Sequence, residues 1–575
     1  MIAKSVPTYT DVFGPPTPKY DELLKEVTPG TGILYCLAIN SELNAPFPFT
    51  QNQIRLLRQA LSIYTRQQQL LVISNLRHLG LMRHDDAIGE IFYKNFILDM
   101  LVNELNRNGS KPIGDIPRTG QFQLLQAYFL TIETEYKTER ILLDKVLAQK
   151  NEPDWAYRML WIPLMRQFQF NEPVSPLMEM SKLFWLLKFA FDHWRDHLRV
   201  YFKTFNVKTI GQFAGSYNSL FTASAMTLSD QPLQKFVIIG DPNGARHLKH
   251  LRINELMATK TITPADLKKK PLFQLPGGQY LIIDQAYLFK HIFRGPFFDL
   301  QHVKNSSGKP ISKNLISDVS KYVLEEYAFR SIIQKLNSDP GLMKFDEGAD
   351  QQKGVPDCYK RIGYTILLFE LKATIFPDAI WENPEYDQLL KYLEERFVQS
   401  NDGPKGIVQL SKDIENILNG GYSFDPIDLA NTQELIIYPI IVHNDFQFSM
   451  HGLNQFLLDK LKPLFPTNRP GNVKIRPLTV INMDWLFDLS FRQGNFTKLM
   501  ELIDRYHATI LSREHELTTM GATQERFVRS YESFDLVYQF NFMQDLPNVA
   551  DEPISGLEEL FSFAGITQAI LDTEV

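Results

Sequence analysis

The sequence predicts a multi-domain α+α/β protein: a helical N-terminal region, an α/β sandwich after it, and a helical C-terminal end. Three observations carry this. A chain of 575 residues exceeds what one hydrophobic core usually organises. Over residues 50–205 apolar side chains recur at three- and four-residue spacing. From residue 311 onward helical and strand-like patterns alternate. The expected divisions are a helical region at 1–230, a small mixed α/β unit or domain extension at 231–310, the sandwich at 311–490, and a helical segment at 491–575.

In the first region "QNQIRLLRQALSIYTRQQQLLVISNL", "DAIGEIFYKNFILDMLVNELNR" and "QFQLLQAYFLTIETEYKTERILLDKVLAQK" read as amphipathic helices. "NGSKPIGDIPRTG" and "FNEPVSP" break them apart, and no fixed-period repeat marks a known solenoid. Near residue 230 the texture changes. "KFVIIGDPNG" reads as a short strand into a turn, and "KKPLFQLPGGQYLIIDQAYL" as a hairpin around Pro276, Gly277 and Gly278. The sandwich runs as a helix at 313–337, two strands flanking Gly363, helices at 384–399 and 404–419, the strand "ELIIYPIIVH", another helix and the strand "IRPLTVINMD". The stretch 491–575 reads as helices with a polar, mobile end.

Composition narrows the class of protein. With 44% hydrophobic, 12% aromatic and 22% charged residues the chain is a folding, globular one. A net charge of -6 gives no global attraction for nucleic acid, so polyanion binding needs local basic surface. Cys36 and Cys358 are too few for a disulfide framework or a thiolate zinc site, which fits a reducing compartment. "MIAKSVPTYTDVFGPPTPKYDELL" lacks a signal-peptide core, and runs such as "LIIYPIIV" are too short to span a bilayer. The expectation is a cytoplasmic protein without membrane contact.

The stretch "VPDCYKRIGYTILLFELKAT" holds the candidate chemistry. Side chains alternate along a strand, so Ile366, Leu368, Glu370 and Lys372 share one face and Leu367, Phe369 and Leu371 the other. A run apolar on both faces is a central strand covered by helices, and a carboxylate there costs several kcal/mol unless paired or bound to metal. A hairpin loop at Gly363 and Tyr364 sets Asp357 across from Glu370. A loop at Arg361 and Ile362 shifts the pairing by two residues. Two neighbouring acids repel unless a cation neutralises them, and oxygen ligands of this kind suit Mg2+ or Mn2+. With Lys372 alongside to orient water or balance charge, the constellation is one for metal-assisted phosphodiester hydrolysis.

Pro356-Asp357, a twelve-residue spacer and Glu370-Leu371-Lys372 together resemble the PD-(D/E)XK nuclease superfamily, with its restriction-endonuclease-like fold, over residues 310–490. The resemblance implies Asp357 and Glu370 as metal ligands, Lys372 as the catalytic lysine, and an acidic residue on the preceding helix. In "SKYVLEEYAFRSIIQKL" that acid is Glu325, with Glu326 as its neighbour and competitor. It also implies a glutamine on the following helix, matched by Gln409 in "KGIVQLSKDIENIL". Asp346, Glu347 and Asp350 in "KFDEGADQQKG" stand just upstream and compete with Asp357 as first acidic ligand. The plainer reading is a strand-end ion pair of Glu370 with Lys372 and a turn residue at Asp357.

Other constellations are less specific. His193 and His197 in "FDHWRDHLRVYF" stand at i and i+4, but no third ligand is identifiable, and a mixed-charge helix surface explains them. Arg246, Lys249 and Arg252 in "GARHLKHLR", with Lys268, Lys269 and Lys270 nearby, form a basic cluster suited to phosphates or simply to solvent. His443, Asn444 and Asp445 close a strand, where functional groups gather in α/β folds and polar loops are commoner.

The expected activity is therefore Mg2+-dependent endonucleolytic cleavage of DNA ahead of RNA, with restriction or anti-phage defence as the role that the organisation suggests by analogy. The region 1–230 is expected to recognise a substrate, a protein partner or an activating signal, and oligomers are compatible with the sequence. The alternative is a nuclease-fold scaffold that binds nucleic acid or a partner without cutting.

Overall fold

A computed structural model describes residues 6–43, 49–62, 64–82, 90–109, 121–149, 152, 154–161, 174–217, 237–238, 245–311, 314–346, 355–377, 379–380, 385–400, 403–404, 406–430, 434–466, 470–492, 494–519, 523–539 and 562–575. The chain divides into two compact units that interleave along the sequence. One, here the helical unit, comprises 3–145, 190–311 and 568–575. The other, the sheet unit, comprises 1–2, 146–189 and 312–567. Of the expected divisions only that near 311 coincides with a change of unit. Residues 146–189 and 491–567 are packed with the sheet rather than forming parts of separate helical regions. Local periodicity reports a helix, not which core its apolar face joins.

The helical unit is built on helices such as Pro29–Leu43, Lys94–Asn108 and Gln285–His302. Pro29–Leu43 packs closely on Lys94–Asn108, whose buried face includes Phe96, Ile97, Leu98, Met100, Leu101 and Leu105. The expected hairpin at Pro276 forms between Leu272–Gln274 and Tyr280–Ile282, antiparallel, with Val237–Ile238 added beside the second strand. The last residues are tied down, contrary to the expected mobile end. Val575 donates its N–H to the Lys208 carbonyl at 3.0 Å, and Arg199 donates to the Val575 carbonyl at 3.0 Å. Backbone pairing of Thr209 with Glu574 supplies the order that composition could not foresee.

The sheet unit begins with α1 (315–336), whose central stretch Val319–Phe329 has π-helical hydrogen bonding. It continues through β1 (Leu342–Phe345), β2 (Cys358–Ile362), β3 (Thr365–Lys372), α2 (Tyr386–Phe397), α3 (Ile407–Leu418) and β4 (Leu435–His443). It then passes through α4 (Leu453–Leu461), β5 (Val473–Ile475), β6 (Thr479–Asn482), α5 (Met483–Phe491) and α6 (Phe496–Thr519). The mixed sheet runs β1, β2, β3, β4, with β5 and β6 following one another along the far edge of β4. β1, β2 and β3 are antiparallel neighbours, whereas β3, β4 and the edge pair are parallel.

Both faces of the sheet are covered. On one, Phe369 meets Phe329 of α1 and Phe496 of α6. On the other, Tyr359 meets Tyr422, which hydrogen-bonds to Asp413 of α3. Ile366, Leu367, Leu368 and Phe369 are all fully buried, each contributing roughly 1.5–3 kcal/mol by leaving water. That burial offsets the cost of the charged residues that follow in the same strand. Among the described residues no helix is long and apolar enough to cross a membrane.

Candidate active site

The hairpin fixes the site. Ile362 pairs with Thr365 and Cys358 with Phe369, leaving Gly363 and Tyr364 as a two-residue connection. Gly363 has φ +58°, the left-handed conformation that such a tight turn demands and that glycine adopts without a Cβ penalty. Of the two registers considered, this is the one that continues the pairing frame to Asp357 opposite Glu370. Beyond the last ladder pair, the Asp357 carboxylate accepts the Leu371 backbone N–H at 2.5 Å.

Glu370 is 2% exposed, and its Oε1 accepts from Lys372 Nζ at 2.5 Å. Its Oε2 is buried and, among the described residues, finds no hydrogen-bond partner. Burial, followed by the Asp357 charge, pushes the Glu370 carboxyl well above its ordinary value despite Lys372. Burial also raises Asp357, with Lys372 and the Leu371 N–H opposing. Glu325 of α1 is raised to about 7, first by burial and then by Asp357. Glu325, rather than Glu326, lines a cleft at the end of β3. Asp346, just after β1, adds its charge to both Glu325 and Asp357, while Arg330 of α1 opposes them. Glu347 and Asp350 lie outside the described residues.

Sequence reasoning missed Asp413. It lies on α3 one turn after half-buried Gln409, is fully buried, and accepts the Tyr422 hydroxyl at 3.0 Å on Oδ1. Among the described residues its Oδ2 has no hydrogen-bond partner. Burial raises this carboxyl to about 7, with a further push from Asp357. The signal was present in "IVQLSKDIENIL": Ile407, Leu410, Ile414 and Ile417 mark the buried face, and position 413 falls within it. A carboxylate at such a position needs a reason.

The cleft has a volume of about 320 Å³ and opens where β3 leaves the sheet. Ser317, Ser320, Lys321 and Glu325 of α1 form one wall, and Leu371 to Thr374 with Arg396 of α2 complete it. Among the described residues Glu325 is the acid that lines the cleft, with Lys372 beside it and the exposed Lys321 and Arg396 on its walls. Among the described residues no group of three or more His, Cys, Asp or Glu side chains is placed to hold a metal ion. A small hard cation commonly uses one or two protein carboxylates, with water and substrate phosphate completing the shell. The unpartnered Glu370 oxygen and the mutual repulsion of the acids fit that donor set.

The remaining sequence candidates stand elsewhere. His443 is fully buried, with Nε2 3.4 Å from Asp535, so it does not reach solvent. Asp445 accepts the Phe376 N–H at 2.9 Å and caps a short 3-10 turn. His193 and His197 are on different helices, Pro176–His193 and Arg195–Phe205, because the helix breaks at Trp194. The i, i+4 geometry that could join them on a metal is thereby lost. His197 Nε2 bonds to the Lys309 carbonyl at 3.0 Å.

Lys249 and Arg252 belong to the helical unit, while every acid above belongs to the sheet unit. Arg252 is occupied by Glu255 and Gln274, and His250 by Asp299, whereas Lys249 is exposed. The Arg246 side chain lies outside the described residues. No protein-family model matches this chain, and no curated protein or solved structure matches it significantly.

Proposed function

We propose that the chain is a Mg2+- or Mn2+-dependent nuclease that hydrolyses phosphodiester bonds, in DNA ahead of RNA. The observation that supports this reading is the hairpin frame setting Asp357 across from Glu370, with Lys372 on the same face and one Glu370 oxygen unpartnered. The same reading takes the sheet unit as a restriction-endonuclease-like sandwich, supported by the strand order and the Glu325-bearing helix before it. Asp357 and Glu370 would hold the cation, which when bound supplies Lewis acidity and a more acidic water.

Lys372 presents its ammonium beside Glu370, where it can orient the attacking water and balance charge developing on the phosphoryl oxygens. Glu325 at the cleft wall adds acidic character and can hold a proton near neutral pH. The helical unit is assigned recognition of a partner or activating signal, the setting is the cytoplasm, and defence against foreign DNA is the matching role.

A second reading, a nuclease-fold scaffold without cleavage, is favoured by one observation. The direct Lys372–Glu370 ion pair is also what a purely structural strand end would form. Plasmid, single-stranded DNA and RNA incubated with Mg2+ or Mn2+ separate the two. Wild type should cut, and Glu370→Ala or Lys372→Ala should lower the rate on the order of a thousandfold. Cleavage unaffected by both substitutions would remove the proposed site. Absence of cleavage by wild type on every substrate would leave the scaffold.

A further inference from the structure

The surface cations at the end of β3 differ from several others on the sheet unit. Lys391 pairs with Glu395, Lys460 with Glu394 and Lys498 with Glu501. Lys321 and Arg396, on opposite walls of the cleft, are exposed, and among the described residues neither forms an ion pair with a carboxylate. Each instead lies over a neighbouring ring, Lys321 Nζ 5.3 Å from Tyr322 and Arg396 Cζ 5.5 Å from Tyr392. Between them the cleft offers the hydroxyls of Ser317, Ser320 and Thr374. Arg396 and Thr374 both hydrogen-bond to the Tyr392 side chain, and among the described residues neither is held by a carboxylate. Cations without a carboxylate partner, flanking hydroxyl groups, suit phosphate oxygens, since each contact made there releases condensed counterions.

Size restricts the ligand. A volume of about 320 Å³ is at the lower end for small-ligand sites, enough for a nucleotide of one strand. Lys372 and Glu325 also line this cleft, so an occupant would lie directly beside the acidic group.

We propose that the cleft seats the phosphodiester strand next to the bond being cut, with Lys321 and Arg396 on its phosphate oxygens and the three hydroxyls donating to them. This rests on the nuclease reading of the neighbouring acids, and it makes single-stranded or locally opened nucleic acid the substrate class. DNA and RNA share the phosphodiester chemistry, so both enter the test.

Fluorescent oligo-dT and oligo-rU are titrated with the full chain in EDTA, where no cutting occurs, between about 50 and 200 mM salt, and anisotropy is read. The Lys321→Ala/Arg396→Ala variant should bind about tenfold more weakly, with a log affinity against log salt slope shallower by about 1.4. Lys391→Ala, outside the cleft, should bind as wild type, and unchanged thermal unfolding of all variants excludes misfolding as the cause. The oligonucleotide held more tightly by wild type identifies the preferred sugar.

Unchanged affinity and slope in the double variant would overturn the cleft, as would a wild type that binds neither oligonucleotide. Glu370→Ala separates this from the chemistry, because it should keep binding while losing cleavage. A wild type that never cuts, yet loses binding in the double variant, would refute the nuclease and support the phosphate seat. A double variant that cuts with unchanged KM would refute only the seat.

Discussion

Two groups of buried acids, Asp284 and Asp266 in the helical unit and the hairpin group in the sheet unit, are balanced in opposite ways. In the helical unit Asp284 is 1% exposed, yet Lys94 stands 2.8 Å from its Oδ2, Asn40 donates at 3.1 Å and the Tyr287 N–H at 3.2 Å. Burial pushes its carboxyl up, but these partners outweigh burial and leave it lowered. Asp266, held by Lys260 and by the Thr263 N–H and hydroxyl, follows the same balance. In the sheet unit Asp357, Glu370, Glu325 and Asp413 are all raised, and their charges oppose one another. Partnered acids stabilise a core. Acids gathered with unsatisfied oxygens cost stability, and such clusters are retained where a cation or substrate is to be bound.

The same acid-to-amide change should therefore have opposite signs in the two regions, measured in EDTA so that no cation intervenes. The largest effect is expected for Asp284→Asn, which leaves Lys94 buried beside a neutral partner and should lower unfolding free energy by about 3 kcal/mol in urea titrations. Destabilisation within experimental error would remove the contrast at its strongest point.

Asp413→Asn sharpens the comparison through pH. A carboxyl raised from 3.8 to about 7 binds its proton more tightly when folded, so its contribution is fully present below pH 3.8 and is lost as pH rises toward about 7. The amide keeps an acceptor for Tyr422 but does not titrate. Thermal unfolding of the variant should therefore fall less between acidic and neutral pH than wild type, leaving the variant more stable than wild type above pH 7. Parallel profiles for the two proteins would show that Asp413 ionises freely in the fold.

The smallest effect belongs to Asp357→Asn. Its amide oxygen can still accept the Leu371 N–H, while the charge facing Glu370 and Glu325 is removed. Apo stability should rise by about 1 kcal/mol, and Mg2+-dependent cleavage should disappear. A loss of stability equal to that at Asp284 would mean that the hairpin acids are structural.

Much of the site was legible in the chain. Gly363 followed by Tyr364 between two strand-like runs was one of two candidate turns, and the alternation through Glu370 and Lys372 placed both on one face. Because that relation depends on one hairpin, it is local. Glu325 against Glu326 could be distinguished only once α1 was placed, since the π-helical stretch sets which acid turns toward Asp357. Asp413 depended on packing across the sheet, where α3 lies against the face that carries Glu370. The continuous helix read through His193 and His197 was corrected for the reverse reason, because a backbone break at Trp194 undid a periodicity that looked continuous.

The sequence by itself determined the alternation of helix and strand, a hairpin that brings Asp357 and Glu370 onto one face, and the absence of a long apolar segment. These follow from short-range sterics and side-chain periodicity. Tertiary structure alone decided that residues 146–189 join the sheet unit, that the last residues are hydrogen-bonded to 199–208, and that Asp413 enters the acidic group. Those outcomes depend on which apolar surfaces meet and which buried polar atoms find partners, and both are properties of the assembled core rather than of any one segment.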